Sequence, residues 1–215
     1  LIPAQRDGNH LVFVAQDVPG LGCRVYYPAQ DGPRQDGKGI WSPGGLALEN
    51  DLLRLEVDER SGAISRLIDK EAGRDLTQHA HRDRDRGAEL DNTGVLNRMH
   101  IWWEQPHGMS AWKLGNISRV DHLVGGAQVS LVEEGPVRGT IQVQRQFLHS
   151  SLTQRIMLYR GSRRIDFETE IRWHEKGSET ADAPMLRVSF EPLLGQSEAT
   201  FQIPFGAITR PADGQ

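Results

Sequence analysis

Residues 163–177 read RRIDFETEIRWHEKG, a stretch that crowds Asp166, Glu168, Glu170, His174 and Glu175 together. Carboxylates beside a histidine are the raw material of two chemistries, general acid–base catalysis and metal ligation. Both require the groups to converge. Here Ile165, Phe167, Thr169, Ile171 and Trp173 alternate with Asp166, Glu168, Glu170, Arg172 and His174, the period of two of a half-buried strand. Side chains two apart on a strand are separated by about 7 Å, so this segment alone grips no small ion. The preferred reading is a strand whose wet face carries charges paired across to its neighbours. A metal or acid–base role would need partners from another strand, which the sequence does not identify.

Two further groups have the right residue types. His79 and His81 form an HxH pair, but no Cys or third ligand follows, and a solvated loop is the simpler reading. The segment NRMHIWWEQPHGMSAWKLG, 97 to 115, is more unusual: it gathers Arg98, His100, Trp102, Trp103, Glu104, His107 and Trp112 around a PHG turn. Aromatic faces flanked by polar groups suit sugar rings, whose C–H faces stack while their hydroxyls take hydrogen bonds. The same tryptophans would serve equally as core or interface anchors. No nucleophile elbow, phosphate-binding loop or dinucleotide motif is present.

The elements that must position these residues read as strands almost throughout. In VRGTIQVQRQF, Val137, Gly139, Ile141, Val143, Arg145 and Phe147 share one face, and Arg138, Thr140, Gln142, Gln144 and Gln146 the other. LLRLEVD, AQVSLVEE and ATFQIPF alternate in the same way, the last placing Phe201, Ile203 and Phe205 together. Turn signals at SGA, EEGP, YRGS and EKGS separate the runs, and the best helical window, Leu67 to Leu76, is short and contains Gly73. The spacing predicts an all-β fold, a large antiparallel β-sandwich. Residues 31–45 and 79–94 are rich in Gly, Pro or charge and read as long loops, with a boundary near Pro43: 1–43 as the end of a preceding small β domain plus linker, and 44–215 as the large sandwich, extending past its last residue.

A chain of 215 residues with 37% hydrophobic content is long enough for one large core. Its net charge of −4 and lack of a basic stripe argue against nucleic acid. A single cysteine, Cys23, excludes an internal disulfide framework. No run approaches the roughly 18 to 20 apolar residues of a membrane span, so no membrane partner is expected; no signal-peptide pattern opens the chain, which says little about a longer parent protein, and a cytoplasmic location is the expectation. The first residue is Leu1, which points to a piece of a longer protein.

Several blocks in order carry a family resemblance. LENDLLRLEVDERSGAISRLIDKEAGRDL (48–76) resembles the opening of the large C-terminal β domain of glycoside hydrolase family 38, the α-mannosidases. EEGPVRGTIQVQRQF, SSLTQRIMLYRGSRRIDFETEIRWHEK and FQIPFGAITRP follow in the family's order, and FVAQDVPGLGCRVYY (13–27) resembles the end of the small β domain before it. The resemblance implies a galactose mutarotase-like supersandwich within a retaining glycosidase. Its two catalytic carboxylates, about 5 to 5.5 Å apart in such enzymes, and its zinc would belong to a catalytic domain this chain lacks. It therefore implies no catalytic residue, metal ligand or cofactor within these residues, and no turnover by them alone. The expected partners are the catalytic and helical domains of the parent chain and a mannose-containing oligosaccharide. Arg98, His100, Trp102, Glu104, His107 and Trp112 become the candidates for lining the sugar pocket. Where many relatives carry an acidic pattern, this chain reads MSAWKLG, keeping Trp112 but placing Ser110 and Lys113 at the acidic positions. Two other readings stand beside this one, an autonomous carbohydrate-binding module and a mutarotase-like epimerase with His100 or His174 facing a carboxylate.

Overall fold

A computed structural model describes residues 2–28, 40, 44–77, 95–109, 112–194 and 198–211. The linker 31–45, the boundary at Pro43 and the His79/His81 pair lie wholly or largely outside the described residues, although Ile40 within the linker is buried and its N–H donates to Gly135 O at 3.0 Å.

All described regular structure is antiparallel β. The strands are β1 (Ala4–Asp7), β2 (His10–Phe13), β3 (Ala47–Glu49), β4 (Leu53–Val57), β5 (Ile64–Asp69), β6 (Arg74–Asp75), β7 (Leu96–Glu104), β8 (Ile117–His122), β9 (Ala127–Glu133), β10 (Arg138–Phe147), β11 (Ser150–Tyr159), β12 (Ile165–Arg172), β13 (Ala183–Phe190), β14 (Glu198–Ile203) and β15 (Gly206–Pro211). A seven-stranded sheet runs β13-β7-β5-β4-β3, with β6 on β5 and β8 on β7. It faces a four-stranded sheet ordered β12-β11-β10-β9, and β1–β2 and β14–β15 are separate hairpins.

The core fills the space between the two sheets. Leu48, Leu55, Val57, Ile64 and Leu96 from the larger sheet pack with Ile141, Val143, Ile156 and Leu158 from the smaller. Each such side chain contributes about 1.5–3 kcal/mol on burial, which makes this contact the main stabilising term. A second cluster, Met99, Ile101, Phe147 and Leu152, extends it towards the other end. β10 is so close to β3 that a Cβ at Gly139 would meet Ile40 Cγ2 at 2.5 Å and Leu48 Cδ2 at 2.7 Å. Only glycine fits there. Arg145 occupies the inward row as its alternation requires, and its guanidinium is accommodated by donating to Leu123 O at 2.9 Å and Ser61 O at 2.7 Å. Asn50, in the LEND turn, stitches the sheets together: its amide donates to Tyr159 O and Ser162 O while its oxygen accepts from Leu52 N and Leu53 N.

Two sequence expectations differ in detail. Phe205 does not continue the strand of Phe201 and Ile203. It adopts φ 62° between β14 and β15, where Pro204 and Phe205 form the tip of the hairpin. In β12 the inward row is covered only at its start: Ile165 and Phe167 pack on the main core, whereas Ile171 is 42% exposed. Trp173 falls beyond the strand end and leans its ring on Phe147, with centroids 6.1 Å apart.

The wet row of β12 behaves as a strand face. Glu168 lies opposite Arg155 and pairs with it at 3.6 Å, and Arg172 lies 3.9 Å from Glu170. Glu175, past the strand, ties down the β10–β11 turn by accepting from His149 N at 2.6 Å and Ser150 Oγ at 2.8 Å. Burial opposes its ionisation, but these donors outweigh that and hold its pKa below the usual carboxylate range.

Candidate functional site

The candidates converge on β7 and the loop after it because of one irregular residue. Ser189 pairs with Arg98 but Phe190 pairs with Leu96, so Asn97 is an extra residue in β7, a β-bulge with φ 58°. Asparagine tolerates this left-handed conformation better than most residues. Its buried amide donates to Gln154 Oε1 across the sandwich at 2.7 Å. The bulge resets the alternation: Leu96 reaches the main core and Met99 and Ile101 the second one, leaving Arg98, His100 and Trp102 on the opposite face of the sheet.

That face is polar and covered only at its centre, since Trp102 and Ser189 are half-buried and His122, Arg187 and Glu191 are exposed. Arg98 and His100 are each 6% exposed. Arg187 and His122 flank His100 in register on the two neighbouring strands, and the Arg187 guanidinium lies 4.7 Å from the centre of the Trp102 ring. His100 Nδ1 and His122 Nδ1 are 2.8 Å apart, and His100 Nε2 is 2.7 Å from Ser189 Oγ. When Ser189 donates its hydroxyl proton to Glu191 Oε1 at 3.2 Å, it accepts from His100 Nε2–H. His100 is then the Nε2–H tautomer, and His122 Nδ1–H donates to it. The chain His122–His100–Ser189–Glu191 is a complete line of hydrogen bonds through a neutral imidazole. Burial lowers the His100 pKa, the neighbouring His122 and Arg98 lower it further, and Glu191 opposes them.

Glu104, His107 and Trp112 belong to a separate structure, built by the described segments 105–109 and 112–115. Glu104 Oε1 accepts from Gly115 N at 2.5 Å and from His107 Nε2 at 2.9 Å, and Met109 N donates to His107 Nδ1 at 3.3 Å. Chiefly the Gly115 N–H, and then His107, keep the Glu104 carboxyl below the usual range. A Cβ at residue 115 would meet His107 Cδ2 at 2.5 Å, so the clamp requires the glycine. Glu104 therefore pins the loop, and Trp112, 83% exposed, projects from it. Trp103 faces inward, donating Nε1–H to Asp121 Oδ2 at 2.7 Å beneath the Arg119 guanidinium.

Thus the six candidates fall into three places: a covered sheet face (Arg98, His100, Trp102), a loop clamp (Glu104, His107) and an exposed ring (Trp112). His122 from β8, Arg187 and Ser189 from β13 and Glu191 just after it complete the first. No periodicity or motif marks them. Beside Arg98 lies a cavity of about 300 Å³, bordered by Asp58, Arg60, Ser65, Val95 and Val124. Among the described residues no three His, Cys, Asp or Glu side chains are grouped to hold a metal ion, so the zinc that the family resemblance implies finds no ligand set to test in them.

Comparison with known proteins decides the family. The profile of the glycosyl hydrolases family 38 C-terminal domain matches residues 48–215. The chain belongs to that family. This family 38 domain is 25% identical over 172 residues to alpha-mannosidase 2C1 of Homo sapiens, a match covering 78% of this chain and 15% of that protein. Alpha-mannosidase G of Dictyostelium discoideum is 25% identical over 176 residues, covering 78% of the chain and 14% of its own length. Alpha-mannosidase 2C1 of Mus musculus is 27% identical over 173 residues. The domain spans 14–15% of the length of these curated relatives.

Proposed function

We propose that this chain is a non-catalytic sandwich domain of an α-mannosidase-type retaining glycoside hydrolase, which packs on the catalytic and helical domains and helps to wall the pocket for a mannose-containing oligosaccharide. Family membership supports the parent activity. The observation that carries the pocket-lining role is Trp112, an indole 83% exposed on a loop whose base is pinned through Glu104. A tryptophan this exposed has a large apolar face to offer a sugar ring or another domain.

The test compares the full-length protein with the 215-residue chain. Full-length protein is expected to hydrolyse an aryl α-mannoside and to hold zinc, and Trp112→Ala to lower kcat/KM about tenfold, the scale of a lost aromatic contact. The chain alone is expected to do neither. Turnover by the chain would overturn its non-catalytic role, and unchanged kinetics in Trp112→Ala would overturn pocket lining.

The exposure of Trp112 also favours a second reading, an autonomous carbohydrate-binding module. Calorimetry of the chain with mannose and mannobiose tests it: heat that disappears in Trp112→Ala supports it, and silence at millimolar sugar counts against it. Trp102 is less suited as a platform, because Arg187 already covers its ring. The His100 form of the mutarotase-like reading has no support, since both ring nitrogens of His100 are taken by His122 and Ser189 rather than by a carboxylate.

A further inference from the structure

The outer face of the four-stranded sheet bears a cavity of about 580 Å³, across the core from the polar face of β7. That volume lies within the range of small-molecule sites. Two cross-strand rows form its floor. Gln128, Gln144, Thr153 and Glu170 follow one another in register across β9, β10, β11 and β12, and Gln146, Ser151 and Arg172 form the adjacent row. Residues in direct register share a sheet face, and four strands at about 4.8 Å spacing make the first row roughly 14 Å long. The floor is therefore longer than one sugar ring.

The chemistry of this lining selects a ligand class. The side-chain amides of Gln128, Gln144 and Gln146 hydrogen-bond to no described residue, although Gln128 and Gln144 are directly opposite. By contrast the buried Gln154 on the next strand is paired at both ends of its amide, with Asn97 and Thr169. Each free amide presents a carbonyl acceptor and two N–H donors, the complement of a hydroxyl that both gives and takes a hydrogen bond. The charges at the site offset one another: Glu170 and Arg172 lie 3.9 Å apart, and Arg145 donates to two backbone carbonyls. Leu152 is the one large apolar residue in the lining. A neutral ligand with many hydroxyls fits; an ion or an apolar ligand does not.

We infer that this face is a second carbohydrate site, which holds the outer residues of an oligosaccharide away from the loop that carries Trp112. That the sugar is mannose rests on the mannosidase reading. Binding is by hydrogen bonds without aromatic stacking, so its dissociation constant is on the order of 1 mM.

The experiment uses the full-length protein, with α-mannotriose and an aryl α-mannoside as probes. Removing two amides in Q144A/Q146A is expected to raise KM for mannotriose about fivefold or more, the scale of one or two lost hydrogen bonds. The kcat for mannotriose and all aryl-mannoside constants stay unchanged. Saturation-transfer NMR is expected to show mannotriose contact that Q144A/Q146A loses and Trp112→Ala retains. Identical KM and identical transfer in Q144A/Q146A would overturn the site, as would equal losses on the aryl substrate. Absence of transfer because another part of the protein covers the face also overturns it. If the wild type hydrolyses no α-mannoside, the mannosidase reading fails, and NMR with mannotriose and cellotriose still decides whether the face takes sugar.

Discussion

The outer faces of β7 and of β10–β11 begin from the same pattern, polar residues alternating with core residues, yet they differ in how their polar groups are satisfied. On β7, Arg98 and His100 are buried, and His100 is bonded at both ring nitrogens. On β10, Gln144 and Gln146 are exposed and their side-chain amides bond to no described residue. A buried polar group left unpaired costs about 1–3 kcal/mol, so a covered face must complete its own network. An open face carries no such cost, and its donors and acceptors remain available to a ligand. The difference teaches where to look for chemistry: a dense polar cluster can be spent on its own structure while a plain row of amides is free.

Breaking the bulge is expected to have the largest effect on this contrast. Asn97→Val places a β-branched residue at positive φ and leaves Gln154 Oε1 without its donor, a loss of about 2–4 kcal/mol. Urea denaturation reads it as a lower midpoint at unchanged slope. Asn97→Gly retains the backbone freedom and should lose less than half as much.

The covered face should also respond to pH. The His100 pKa is lowered by burial first, then by His122 and Arg98. The unfolded chain therefore binds the proton more readily, and the contribution of His100 is complete above its unfolded pKa of about 6.5 and lost as pH falls through the lower folded value. His122, Ser189, Arg187 and Glu191 surround the same network, so the decisive measurement is the slope of stability against pH below neutrality. His100→Asn should flatten that slope, and an unchanged slope would assign it to another group.

A smaller, local effect is expected at the clamp. Glu104→Gln weakens the acceptor for Gly115 N and His107, so amide exchange in loop 105–115 should rise several-fold while the global midpoint barely moves. The smallest effect belongs to the open face. Glu168→Ala removes an exposed pair with Arg155 and should change stability by no more than about 0.5 kcal/mol, and Gln144→Ala by as little, as thermal melts would show.

Much of the fold was legible because alternation and turn chemistry are local. Val137, Ile141, Val143, Arg145 and Phe147 were all placed inward correctly from their period alone. In the carboxylate-rich stretch at 163–177, residues 165–172 form a strand face for the reason their spacing suggested, while His174 and Glu175 fall past its end. The turn at Phe205 was missed because a strongly apolar residue at positive φ contradicts its propensity. The candidate segment 97–115 was legible as unusual, but its division into a covered face, a clamp and an exposed ring was not. That division depends on Asn97, whose insertion shifts the facing of every later residue in β7, and on partners more than 80 residues away, such as Ser189.

The sequence by itself determined most of the strands, the inward faces of those without a bulge and, through blocks in a characteristic order, the family. These follow from chain-local sterics and from the burial of apolar rows. Tertiary structure alone decided which polar face is closed and which is open. Whether a side chain pairs with a neighbour or meets water depends on which strand lies alongside it and what packs above it, and neither is encoded in the spacing of that strand's own residues.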